Sequence, residues 1–207
     1  TRTLSPSPTK PVIVERLIFT NNGKQPAIIK TGKLAYQVNT MANKGVYGSY
    51  AIEAQSQSHG SFALAQGEQK TVYVNYFATK SGQNRQFDSA QEISARKQYV
   101  QSLRDKLQLQ TPDPVINKMF DFAKLRAAES IFRTKGGLMH GPGGSRYYAA
   151  IWANDQAEYI NPFFPFLGDV NGNESAINSF RHFARFINDE FEPIPSSIIA
   201  EGVDIWN

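Results

Sequence analysis

The feature that most constrains this chain of 207 residues is a change of hydrophobic period near Asp88. Before it, apolar residues come in short β-branched and aromatic runs at residues 12–19, 27–30, 34–38, 46–54, 61–65 and 71–78. Polar turns such as Asn21-Asn22-Gly23 and Thr31-Gly32 separate them. Runs of this kind are strands, and short connections make successive strands antiparallel. Gln66-Gly67-Glu68 predicts a hairpin between the last two. After Asp88 the period becomes helical. Ser89-Ala90-Gln91-Glu92 reads as a capping box, and Ile93, Val100, Leu103 and Leu107 then fall on one face. A second helix opens with Asp113 as N-cap and Pro114 at its first position, carries Ile116, Phe120, Ala123, Ala127 and Ile131, and is expected to close at Lys135-Gly136-Gly137. A third is expected to begin near Asn154 or Asp155. A fourth opens at Asn173-Glu174, with Ile177, Phe180, Ala184, Ile187 and Phe191 as its expected core stripe.

The resulting class is α+β and multidomain, with strands first and helices second. Residues 1–10 read as a flexible linker, because Ser5-Pro6-Ser7-Pro8 favours extended backbone. Residues 11–80 form an antiparallel β-sandwich portion, residues 81–112 a linker with a helix, and residues 113–207 a helical domain. That domain is expected to be incomplete, since Asp204-Ile205-Trp206-Asn207 carries no cap or closing signal.

Composition narrows the chemistry. A hydrophobic content of 41% with 19% charged residues is that of a folded globular chain. The net charge of +4 comes from scattered basic residues, so no nucleic-acid footprint is present. No apolar run is long enough to cross a bilayer, and no membrane partner is expected. The absence of cysteine excludes disulfides, zinc-thiolate centres and cysteine nucleophiles. The three histidines His59, His140 and His182 have no paired metal spacing, so no metal is expected. His140-Gly141-Pro142-Gly143-Gly144 lacks the Gly-Lys-Ser/Thr ending of a phosphate loop and follows a helix, so it reads as a shaped turn and no cofactor is expected.

The residues richest in chemistry lie at 136–169. Glycines 136, 137, 141, 143 and 144 lead to Arg146, Tyr147 and Tyr148, then Trp152-Ala153-Asn154-Asp155, Glu158 and Tyr159, and finally Pro162-Phe163-Phe164-Pro165-Phe166. Flat aromatic faces beside carboxylates and amides are what a sugar subsite needs. Asp155 and Glu158 are i and i+3 at the start of a helix, where both could face one side, although acids also favour helix N-termini. Glu201 and Asp204 form a second i, i+3 pair beside Trp206. His182 reads as a helix-surface histidine. Glycosidic hydrolysis uses two carboxylates, one protonating the leaving oxygen and one activating water or attacking.

Strands followed by a linker helix and helical hairpins resemble the six-hairpin glycosidases, the (α/α)6-toroid clan of glucoamylases, trehalases, α-glucosidases and α-L-rhamnosidases. Trp152-Ala153-Asn154-Asp155 resembles that clan's Trp-x-Arg-Asp segment, with Asn154 where the clan has Arg. The resemblance implies that Asp155 binds hydroxyls of the −1 sugar. Glu201-Gly202-Val203-Asp204 resembles the Glu-Ser-Gly-Trp-Asp segment of trehalases, which implies Asp204 as general acid with Glu201 as runner-up. The general base would come from a later toroid helix outside this chain. Residues 113–207 would be the first hairpins of the toroid, partnered by its missing C-terminal part. The clan's habit implies a secreted or periplasmic enzyme.

The leading expectation is an inverting glycoside hydrolase acting on an oligo- or polysaccharide, inactive as an isolated piece. Asp155, Glu158 and Asn154 would hold the −1 sugar, Trp152, Tyr148 and Trp206 would stack, Arg146 would orient, and His140 would line the pocket. The alternatives are a polysaccharide lyase using Tyr147 or Tyr148 with His140 and Arg146, a glycoside phosphorylase on the same architecture, and a non-catalytic carbohydrate-binding module.

Overall fold

The structure, a computed structural model, describes residues 1–44, 48–83, 85–141 and 150–199. The chain divides into two compact units, Thr1–Tyr99 and Val100–Asn207.

The first unit is built on a five-stranded antiparallel sheet. Its strands are β1 (Arg2–Pro6), β2 (Val12–Thr20), β4 (Ala35–Asn39), β5 (Ala51–Ser56) and β7 (Gln69–Thr79), in the order β1-β2-β7-β5-β4. The remaining strands, β3 (Ala27–Thr31) and β6 (Gly60–Leu64), pair with each other. The expected 66–68 turn is present, with the Glu68 N–H donating to the Ala65 carbonyl. The strands it joins do not pair, however: β6 pairs with β3, and β7 pairs with β2 and β5.

Residues 1–10 are not a free linker. Extended Ser-Pro backbone is also strand backbone, and β1 satisfies the open edge of β2 from Arg2↔Leu17 to Pro6↔Ile13. The next residues are tied down as well, since the Ser7 hydroxyl donates to Glu92 at 2.7 Å and Lys10 forms an ion pair with the same carboxylate.

The helix α1 (Ser89–Asp105) begins in this unit. Asp88, rather than Ser89, is its N-cap, and its carboxylate accepts from the N–H groups of Ala90 and Gln91. Ser89 is diverted into the core, where it donates to Asn75 Oδ1 at 2.8 Å. Ile93 packs against Val12, Val14 and Phe77, and these buried side chains form the core between sheet and helix.

In the second unit, α2 (Pro114–Glu129) is capped as expected by Asp113, which accepts from the Val115 N–H at 2.8 Å. It closes earlier than expected, at Ser130. The β-branched and aromatic run Ile131-Phe132-Arg133-Thr134 prefers a strand, and it pairs as β8 (Ile131–Thr134) with β9 (Gly137–His140). Lys124 is fully buried, and its ammonium donates to the carbonyls of Arg104 and Lys106 at 2.9 and 2.8 Å. It thereby satisfies carbonyls at the C-terminal end of α1 that the helix leaves open.

After β10 (Ala150–Trp152) come a π-helical turn (Asp155–Ile160), α3 (Asn161–Leu167), α4 (Val170–Ala184) and β11 (Ser197–Ile199). α4 starts at Val170 rather than Asn173, because Asp169 accepts from the Gly172 N–H at 2.9 Å.

The expected core stripe of α4 faces outward. Ile177 and Phe180 are 51% and 55% exposed, while Ile187 and Phe191, expected on the same helix, lie beyond its end at Ala184 and are 73% and 94% exposed. The buried face carries Gly172, Ser175, Ala176, Ser179 and Phe183. Sterics explain the choice. A Cβ at Gly172 would lie 2.3 Å from Phe164 Cδ1, and one at Gly137, whose φ is +104°, would lie 2.5 Å from Asn178 Nδ2. Only a small-residue face lets α4 come this close. Gly172→Ala should therefore lower stability by about 1–3 kcal/mol through overpacking, read as a lower urea midpoint. An unchanged midpoint would mean that Phe164 yields freely.

Candidate functional site

The site is framed by α4, which grips the β8–β9 hairpin through its backbone. Asn178 Nδ2 donates to the Leu138 carbonyl at 3.1 Å, and four residues on, His182 Nε2 donates to the Gly136 carbonyl at 2.9 Å. His182 is therefore a clamp on the turn and not a plain surface histidine. Its Nδ1 accepts from Arg185 at 3.0 Å, which fixes the tautomer with the proton on Nε2.

The clamp places His140 at the end of β9, where it is 7% exposed. The ring meets Phe164 edge-on, with centroids 6.0 Å apart. Gln156, from the π-turn, donates Nε2 to the His140 carbonyl at 2.8 Å. Asn161 donates to Ser179 Oγ at 2.9 Å. Three further polar atoms of these side chains, His140 Nδ1, Gln156 Oε1 and Asn161 Oδ1, are buried without a partner among the described residues. Buried polar groups are nearly always satisfied, so such orphans mark a place where a water or a ligand belongs. Burial pushes the His140 pKa down from 6.5 to about 4, against an opposing pull from the Asp155 carboxylate. The imidazole is thus neutral at pH 7 and can exchange hydrogen bonds there without carrying charge.

Trp152 ends β10, opposite Ser197 of β11. Strand alternation turns Ile151 inward, onto Met139, Phe183 and Ile198, and Trp152 the other way, where it is half-buried. Asp155 opens the π-turn, half-buried, and its charge is felt at His140. The side chains of Asn154, Asp155 and Glu158 have no hydrogen bond or ion pair among the described residues.

The charge of half-buried Asp155 reaches His140, while Glu158, three residues on, is exposed. A π-turn closes i→i+5 bonds, here the Asn161 N–H to the Gln156 carbonyl. One turn then takes more than 3.6 residues, and the residue three along no longer returns to the same side. Glu158 and Asn154 are accordingly exposed. Arg146, Tyr147, Tyr148, Glu201, Asp204 and Trp206 lie outside the described residues. Nothing in the sequence singles out Gln156. A glutamine one place after an expected helix start carries no signal of burial, and only the π-winding turns it inward.

Among the described residues no group of three or more His, Asp or Glu could hold a metal ion. No protein-family model matches the sequence, and no curated protein does. The fold is similar to a solved structure described as "Putative kojibiose phosphorylase from human microbiome", with a TM-score of 0.55 and 12% identity over 93% of this chain. The likeness is one of fold. This chain spans 32% of that protein's length.

His140 gives the site a pH signature. Its folded-state pKa of about 4 lies below its ordinary 6.5, so the unfolded chain takes up the proton first as pH falls. The stabilisation is complete above pH 6.5, is lost between 6.5 and about 4, and amounts to roughly 3 kcal/mol in all. Unfolding measured against pH should show this slope in the wild type and not in His140→Phe. Equal slopes in the two proteins would contradict a buried neutral imidazole.

Proposed function

We propose that this chain carries the sugar-binding part of a carbohydrate-active enzyme built on an (α/α)6 toroid, and that the complete enzyme is an inverting glycoside hydrolase. The observation that supports this reading is a buried neutral His140, with an unpartnered Nδ1, within reach of the charge of the half-buried Asp155 carboxylate. Trp152, half-buried, lies three residues before that carboxylate. A sugar ring offers each of them its complement: an apolar face for the indole and hydroxyls for the imidazole and carboxylate. The fold likeness to a protein described as a kojibiose phosphorylase supports a glycan substrate.

In this reading Asp155 and His140 bind hydroxyls of the −1 sugar, with Asn154 and Glu158 at the rim. Trp152, Tyr148 and Trp206 stack, and Arg146 orients the substrate. Asp204, or failing it Glu201, protonates the leaving oxygen. The activating base comes from a part of the toroid that this chain does not span. The exposed apolar side chains of α2 (Val115, Met119 and Phe122) and of α4 (Ile177 and Phe180) are the faces that further toroid helices cover.

A second reading, phosphorolysis, is favoured by the name of the similar structure alone. Product analysis separates the two. Hydrolysis releases free sugar in phosphate-free buffer, whereas phosphorolysis stops there and yields a sugar phosphate when phosphate is added.

In the complete protein, Asp204→Asn should abolish turnover while leaving sugar affinity in place. Asp155→Asn should weaken affinity about 10- to 100-fold, the scale of a charge-assisted hydrogen bond. Full activity of Asp204→Asn would remove Asp204 from the acid role, and unchanged affinity of Asp155→Asn would remove Asp155 from the subsite.

A further inference from the structure

The sheet face that packs against α1 holds a second site, within the first unit. Across the β2–β7 ladder Arg16 is paired with Tyr73, so both side chains rise on the same face. Above them α1 presents Ala90, Ile93, Ser94 and Lys97, spaced to lie along one side of the helix. These six residues line a cleft of about 190 Å³ whose floor is the buried Ile93.

The chemistry of the lining is one-sided. It holds two cations, a phenol and a hydroxyl, and no carboxylate. Arg16 Nε is shut off from solvent and has no acceptor among the described residues. The buried carboxylates of this unit are already engaged by other cations: Glu15 by Arg2, Glu92 by Lys10 and Glu53 by Arg85. Glu15, although next in sequence to Arg16, lies on the opposite face, where the Tyr76 hydroxyl donates to it at 2.6 Å. Among the described residues neither Arg16 nor Lys97 has an ion pair. A guanidinium cannot escape an unmet N–H by losing its proton. Arg16 is half-buried, and an anion seated in the cleft would give Nε the acceptor it lacks.

We infer that this cleft is a phosphate-binding site, distinct from the proposed sugar subsite. The guanidinium fork and the ammonium answer the charge of the phosphate, and Tyr73 and Ser94 add hydroxyl donors for its remaining oxygens. The volume lies below the roughly 300 Å³ at which pockets for drug-sized ligands begin. It limits the occupant to free phosphate or a small phosphomonoester.

Calorimetric titration of the full chain with inorganic phosphate, in chloride buffer of matched ionic strength, tests this. Saturable one-to-one binding is expected. Lys97→Met should weaken it at least tenfold and Arg16→Met should remove it. Lys33→Met, which takes an equal charge from an exposed position outside the cleft, should leave it unchanged. Glycerol phosphate binding tighter than inorganic phosphate assigns the site to phosphomonoesters, and the reverse order assigns it to the free ion. No saturable binding, or equal weakening by Lys33→Met and Lys97→Met, would overturn the inference. If Arg16→Met does not fold, the two lysine variants still decide.

Discussion

The second unit depends on how closely α4 approaches Phe164. That contact is possible because position 172 has no side chain, and it brings Ser175, Ala176 and Ser179 into the interior behind it. Close packing of small residues leaves no room for the larger apolar residues of the helix, which face outward. With α4 seated, Asn178 and His182 reach two carbonyls of the β8–β9 hairpin, and Asn161 reaches Ser179. These polar contacts have few alternative geometries, so the end of β9 is held in one place. His140 inherits its position from that chain of contacts rather than from anything in its own neighbourhood in sequence.

Holding a histidine there has a cost. The ring is buried, its Nδ1 is unmet, and Gln156 Oε1 and Asn161 Oδ1 share the same condition. Fully satisfied buried networks rigidify a core, whereas partly satisfied ones burden it. The π-turn beside them is a further departure from regular structure. Such turns often accompany functional sites, and in this one Gln156 is buried, Asp155 half-buried and Glu158 exposed. Local rules are broken together in one small region, and the packing of α4 offsets the cost.

Much of the fold was legible in the sequence. The switch from period 2 to period 3.6 separated strands from helices, and Asp113-Pro114 marked the start of α2, because these signals are local and strong. Where signals competed, the sequence misled. Residues 1–10 read as a linker, because Ser-Pro backbone says nothing about the open edge of β2 waiting for a partner. Ser89 matched a capping box, but Asn75 claims its hydroxyl. The apolar stripe of α4 had a clear period, yet close approach to Phe164 selected the small-residue face instead. Of the proposed site, Trp152, Asp155 and His140 stand out by residue type and company. Gln156 does not, since its role follows from the winding of a turn that no residue there announces. The Arg16 cleft was invisible for a related reason, because scattered basic residues converge only through strand register and a helix laid across it.

The most direct test of the proposed subsite is a crystal structure of the complete protein soaked with an oligosaccharide substrate. A sugar ring stacked on Trp152, with hydroxyls within hydrogen-bonding distance of Asp155 and His140 Nδ1, is the result expected. A sugar bound elsewhere, with those three side chains untouched, would contradict it.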